Sequence, residues 1–163
     1  MECIDGTTLD ETTIHNSNSK PLLQTIALQL RTLHSIPFKV EPNMLWYSLE
    51  AMLENTWSEE LLQEYRFLHS HISPLPLHMC LGHGDFKPSN IVLHYDGLVR
   101  FIDFELSGLH YRGFDIAKLF RTDSVVNTDN RDFFINIYSD ENSDLTEALQ
   151  LEAAILEPMT VSR

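Results

Sequence analysis

An α+β fold, mostly helical with one tight β-hairpin, is predicted for this 163-residue chain from three features of its sequence. Apolar residues recur at three- and four-residue intervals in several stretches, which is the helical period. Two β-prone runs flank the turn dipeptide Asp96-Gly97. Five of the six glycines, from Gly82 to Gly113, crowd into one segment, where the backbone must turn sharply or approach something closely. The length suits a single domain over residues 1–163, and 43% apolar with 21% charged residues fits a packed globular chain better than a disordered or fibrous one.

Residues 7–20, rich in Thr, Asn and Ser, read as a loop leading into a helix. Leu22, Leu23, Ile26, Ala27, Leu30, Leu33 and His34 form the stripe of that helix, with Pro21 in its first turn and Pro37 beyond its end. A second helix is expected over 44–54. A third is expected to start at Thr56, where Thr56-Trp57-Ser58-Glu59 fits a capping box, and to bury Leu61, Leu62, Tyr65 and Leu68. Trp46 and Trp57 read as packing residues on these helices. Pro74 and Pro76 break the pattern before residues 77–81, a strand or buried connector. After the hairpin, helices are expected to open at Asp115 and Asp132. Asp144-Leu145-Thr146-Glu147 resembles a capping box for a last helix that Pro158 ends.

A formal net charge of −13 with no basic cluster argues against nucleic acid or an anionic membrane as the main partner. No run reaches the ~18 apolar residues that a membrane span needs, and the first residues lack the basic-then-apolar pattern of a secretory leader. Cys3 and Cys80 are too few for a disulfide framework, so a reducing, cytoplasmic location is expected. Five potential ligands, His69, His71, His78, Cys80 and His83, lie close in sequence, but their spacing fits no standard zinc pattern.

The hairpin carries the chemistry. With a two-residue turn at Asp96-Gly97, Tyr95 faces Leu98 and Asn90 faces Asp103, so an amide oxygen and a carboxylate could share one hard cation, Mg²⁺ or Mn²⁺. Upstream, Asp85 precedes Asn90 with four residues between them, the Asp-x₄-Asn interval of kinase catalytic loops, in which the Asp receives or orients the acceptor hydroxyl. In-line phosphoryl transfer needs such a carboxylate beside the nucleophile and cations on the phosphate oxygens, because positioning and electrostatics supply most of the catalysis.

His83-Gly84-Asp85 through Asn90, followed by Ile102-Asp103-Phe104-Glu105, resembles the aminoglycoside phosphotransferase and choline kinase superfamily, whose fold is protein-kinase-like. Tyr111-Arg112-Gly113-Phe114-Asp115-Ile116 narrows the resemblance to choline and ethanolamine kinases, as does Ile36-Pro37-Phe38-Lys39-Val40-Glu41-Pro42. The resemblance implies the large, C-terminal lobe of such a kinase. It also implies Asp85 as catalytic base, Asn90 and Asp103 as Mg²⁺ ligands, Glu105 as an aid to a second ion, and Asp115 as a brace for the catalytic loop. The expected activity is ATP- and Mg²⁺-dependent phosphorylation of choline or ethanolamine, at the head of phosphatidylcholine and phosphatidylethanolamine synthesis, with a homodimer left open. Gly84 and Lys87 depart from choline kinases, which usually carry Asn and Gln there. Lys87 gives the loop a protein-kinase character and is a candidate for meeting the transferring phosphate, whereas Asp103-Phe104-Glu105 in place of Asp-Phe-Gly argues against a protein kinase.

Neither a G-x-G-x-x-G loop nor a G-x-x-x-x-G-K-S/T loop occurs, so the N-terminal lobe is expected to be absent. Three readings compete: the large lobe of an active choline or ethanolamine kinase, a catalytically incomplete kinase-like interaction protein, and a phosphotransferase of the aminoglycoside type. The retention of Asp85, Asn90 and Asp103 together favours the first.

Overall fold

A computed structural model describes residues 5–38, 42–54, 58–122 and 126–160. In chain order it contains strand β1 (Gly6–Thr8), helices α1 (Glu11–His15), α2 (Lys20–His34), α3 (Met44–Glu54) and α4 (Glu59–Ile72), strands β2 (Met79–Gly82), β3 (Ile91–His94), β4 (Val99–Phe101) and β5 (Gly108–Tyr111), then helices α5 (Arg112–Phe120), α6 (Thr128–Tyr138) and α7 (Ser143–Leu156). Short 3₁₀ turns at Pro88–Asn90 and Phe104–Leu106 interrupt the strand region, and a third, Glu157–Thr160, follows α7. The α+β prediction holds. Among the described residues, no helix is long and apolar enough to cross a membrane.

Leu23, Ile26, Ala27 and Leu30 make α2 the centre of the main core, where they meet Ile116 and Leu119 of α5, Phe134 and Ile135 of α6 and Leu149 of α7. A second cluster joins Leu45 and Trp46 of α3, Ile72 of α4, Tyr111, Phe114 and Leu156. Trp46 is a packing residue, its indole N–H donating to the Tyr111 hydroxyl at 3.0 Å. Trp57 lies outside the described residues. Helix α4 is less buried than its pattern implies: Leu61 is exposed, Leu62, Tyr65 and Leu68 are half-buried, and Ile72 alone in the helix is fully covered.

Residues 7–20 are not a plain loop. Gly6–Thr8 pairs antiparallel with β3, and Asp10 caps α1 by accepting the Thr13 N–H at 2.7 Å, with Ile14 as a fully buried anchor. Helix starts were also misplaced. Ser58 caps α4, whereas the expected cap Thr56 lies outside the described residues; Asn127 caps α6 ahead of Asp132, and Asn142 caps α7 ahead of Asp144. Asn and Asp serve equally as caps, so the choice follows from where the incoming chain leaves the core. Helix α5 begins at Arg112, before Asp115, because β5 runs straight into it without a side-chain cap to mark the boundary.

The hairpin is present, but its register is corrected by one residue. Ile91 faces Phe101, Val92 faces Arg100 and Leu93 faces Val99, and the Ile102 N–H donates to the Asn90 carbonyl at 3.0 Å. Asn90 therefore sits opposite Ile102, not Asp103. The connection is a three-residue loop, 95–97, closed by the Gly97 N–H on the His94 carbonyl at 2.9 Å. A type I′ turn needs positive φ at both central residues, yet only Gly97 (φ +82°) has it; Asp96 instead accepts the Leu98 N–H at 2.9 Å. A three-residue loop ending in a left-handed glycine resets every cross-strand pair.

Candidate active site

The loop between β2 and β3 is held from below by helix α5. Asp115, 1% exposed, accepts the His83 backbone N–H at 2.7 Å and the Gly84 N–H at 2.9 Å. Its Oδ2 also accepts from Nε2 of His34 at 3.0 Å, and Nδ1 of His34 faces the Tyr138 hydroxyl at 2.7 Å. Burial by itself would raise the Asp115 pKa, but the His34 contact, the nearby His110 ring and the His83 backbone N–H outweigh it and hold the carboxyl below the usual carboxylate range. The bracing that the family resemblance implied for Asp115 is visible in these bonds.

Two buried imidazoles tie the loop to the segment after β4. Nε2 of His83 lies 2.9 Å from the Ile102 carbonyl and Nε2 of His110 lies 2.9 Å from the Leu106 carbonyl; since a carbonyl can only accept, both nitrogens donate. Gly84 sits between these ties with φ +82°, and a Cβ there would run into the Leu106 carbonyl oxygen and His110. Gly97 has the same φ with open space around it. The comparison separates backbone conformation from crowding: Gly97→Ala is expected to cost about 1 kcal/mol for the left-handed region alone, and Gly84→Ala about 3 kcal/mol once overpacking is added. Urea unfolding of both variants checks this, and equal losses would discard the crowding.

Above this frame Asp85 is enclosed by donors. Its Oδ2 meets Nζ of Lys87 at 2.6 Å and Nδ2 of Asn90 at 3.1 Å, and its Oδ1 meets Nζ of Lys118 at 3.1 Å. Partial burial works to raise the Asp85 pKa, but the two lysines prevail and keep the group below its ordinary value, hence ionised near neutrality. The Asn90 amide nitrogen donates as well to the Asp85 carbonyl at 2.9 Å, made possible by the Pro88–Asn90 turn. Its Oδ1 accepts no hydrogen bond among the described residues.

Asp103 adopts φ 67°, ψ 59°, a left-handed conformation that costs a non-glycine residue about 1–2 kcal/mol and recurs at functional sites. Its carboxylate is exposed, as is that of Glu105 in the following turn. Neither makes a hydrogen bond or ion pair among the described residues. The structure thus joins Asp85, Lys87 and Asn90 by direct contact and leaves Asp103 and Glu105 at the neighbouring strand end. Among the described residues, no three His, Cys, Asp or Glu side chains form a metal-binding group. The donors that suit Mg²⁺ are one amide oxygen and two carboxylates, all hard oxygen ligands, too few to enclose an ion without phosphate or water to complete its coordination.

Lys118 and the His34–Tyr138 pair escaped the sequence reading. Lys118 lies three residues after Asp115 in α5, on the same helical face, a spacing that could have pointed to it. Nothing local links His34 to Asp115, which is 81 residues away in the chain.

Residues 1–151 match the model of the APH phosphotransferase enzyme family. Ethanolamine kinase 2 of Rattus norvegicus is 40% identical over 70 residues, which are 42% of this chain and 18% of that protein. Among solved structures, an ethanolamine kinase of Plasmodium vivax superposes with a TM-score of 0.78 at 20% identity, covering 98% of this chain and 55% of its own. A choline kinase of Cryptosporidium parvum superposes with a TM-score of 0.68 at 18% identity, covering 98% and 62%. The chain spans less than two thirds of each of these relatives, and the kinase-like fold is shared with both structures.

Proposed function

The chain belongs to the APH phosphotransferase enzyme family, and from that premise we propose that it forms the large lobe of a choline or ethanolamine kinase, transferring the γ-phosphoryl group of ATP to the substrate hydroxyl. The observation that carries this reading is the ionised Asp85, buttressed through Asp115 and held by Lys87, Lys118 and Asn90. Asp85 takes the hydroxyl proton as the substrate oxygen bonds to the γ-phosphorus and the bond to the β,γ-bridging oxygen breaks, releasing ADP. Lys87 neutralises charge on the phosphate. Asn90 and Asp103, with Glu105 beside them, would hold Mg²⁺, which when bound neutralises phosphate charge and fixes the nucleotide in line. The left-handed backbone at Asp103 turns the chain just where β4 ends, close in sequence to the pairing of Ile102 with Asn90.

The test is to supply the chain, alone and fused to a kinase small lobe, with Mg²⁺-ATP and choline, ethanolamine or an aminoglycoside, and to follow the phosphorylated product. Formation of phosphoethanolamine or phosphocholine supports the reading; phosphorylation of the aminoglycoside alone, or no turnover in either form, discards it. Asp103→Ala is expected to weaken Mg²⁺-nucleotide binding by about tenfold or more, as removal of a charged ligand should, read by calorimetric titration with and without Mg²⁺. Unchanged affinity would remove Asp103 from the metal assignment.

A further inference from the structure

Asp85 is held by two lysines whose settings differ. Lys118 belongs to α5, the helix that also carries Asp115, and its side chain is 18% exposed, with Nζ 6.0 Å from the centroid of the Phe114 ring. Lys87 lies in the loop and is 45% exposed. The carboxylate oxygens are also unequal: Oδ2 is shared by Lys87 and Asn90, whereas Oδ1 has Lys118 as its one partner among the described residues. If Lys87 leaves, Oδ2 keeps a donor. If Lys118 leaves, Oδ1 keeps none.

The geometry points to Lys118 as the positioning residue that holds Asp85 in its productive orientation from helix α5, with Lys87 the exchangeable partner that moves to a phosphate group. One carboxylate cannot neutralise two ammonium groups, so an arriving phosphate, with Asp103 and Glu105 offset by Mg²⁺ as in the reading above, competes with Asp85 for the more exposed lysine. Because α5 fixes the loop backbone through Asp115 and the acidic side chain through Lys118, one helix sets both levels of the site. The inference rests on the kinase reading above for the identity of the phosphate donor, but not for the asymmetry of the two lysines.

The experiment uses the full chain and pairs two readouts. Double-mutant cycles in urea unfolding compare Lys118→Met with Lys87→Met, each against Asp85→Asn. The expected coupling is about tenfold in the unfolding constant for Lys118 and no more than about twofold for Lys87. Equal couplings, or the reverse order, overturn the inference. Kinetics with Mg²⁺-ATP and ethanolamine, where the wild-type chain turns over, should show Lys118→Met lowering kcat by about ten- to a hundredfold with the KM for ATP nearly unchanged, partly restored in Lys118→Arg. Lys87→Met should raise that KM. A rise in KM for Lys118→Met matching that of Lys87→Met also overturns it. Absence of wild-type turnover counts against the kinase reading and leaves the cycles to decide the role of Lys118; Lys118→Gln serves in them if the Met variant does not fold.

Discussion

Asp85→Ala is expected to lower phosphoryl transfer by about 10²–10⁴-fold while nucleotide still binds. The size follows from the role proposed for Asp85: a proton acceptor for the substrate hydroxyl acts on the chemical step more than on binding. Its oxygens organise three donors, so the alanine variant also frees two ammonium groups at the site. Those freed charges favour phosphate, so nucleotide affinity should hold or rise while kcat falls. Steady-state kinetics together with calorimetric titration of Mg²⁺-ATP separate the two effects in the small-lobe fusion. A near-normal kcat in Asp85→Ala would end the assignment of Asp85 as the base.

Asp115→Ala is expected to cost about 3–5 kcal/mol of stability, the largest loss for any single side chain of the site. A fully buried carboxylate disappears from among the backbone N–H groups of His83 and Gly84 and the ring of His34, and no water-accessible face lets solvent replace it. The loop that carries Asp85 then loses its lower support, so the proposed activity should fall with stability. Chemical unfolding measures this, and a loss under about 1 kcal/mol would show that the loop is held by other means. The pH dependence has a definite sign. The folded-state pKa of Asp115 lies below its unfolded value, so its stabilisation is fully present above the ordinary carboxylate pKa and disappears as pH falls through the lower folded-state value. Asp115→Asn should flatten the acid limb of the stability profile.

Much of the architecture was legible because periodicity reports burial. The stripe of α2 became the main core, α3 spans 44–54 as expected, and the two β-prone runs paired as a hairpin. The misplaced helix starts at Asp132 and Asp144 have one cause: several Ser, Thr, Asn and Asp residues near each start could cap, and packing selects among them. The hairpin register failed on subtler ground. Asp96-Gly97 serves two-residue and three-residue loops, and the difference of one residue moved Asn90 from Asp103 to Ile102. The cross-strand argument for a cation between those two side chains therefore does not stand, and the metal role proposed for them rests on family membership and on the chemistry of their oxygens.

From the chain order alone came the spacing of Asp85 and Asn90, which a short turn converts into contact, and the apolar faces that drive the helices together. Only the folded arrangement decided that Lys118 would reach Asp85 and that His34 and Tyr138 would complete the seat of Asp115. The division follows from distance along the chain. Local spacing and periodicity constrain neighbours within a turn or a strand, whereas a hydrogen bond between residues 81 positions apart depends on how two helices pack, which no short window of sequence contains.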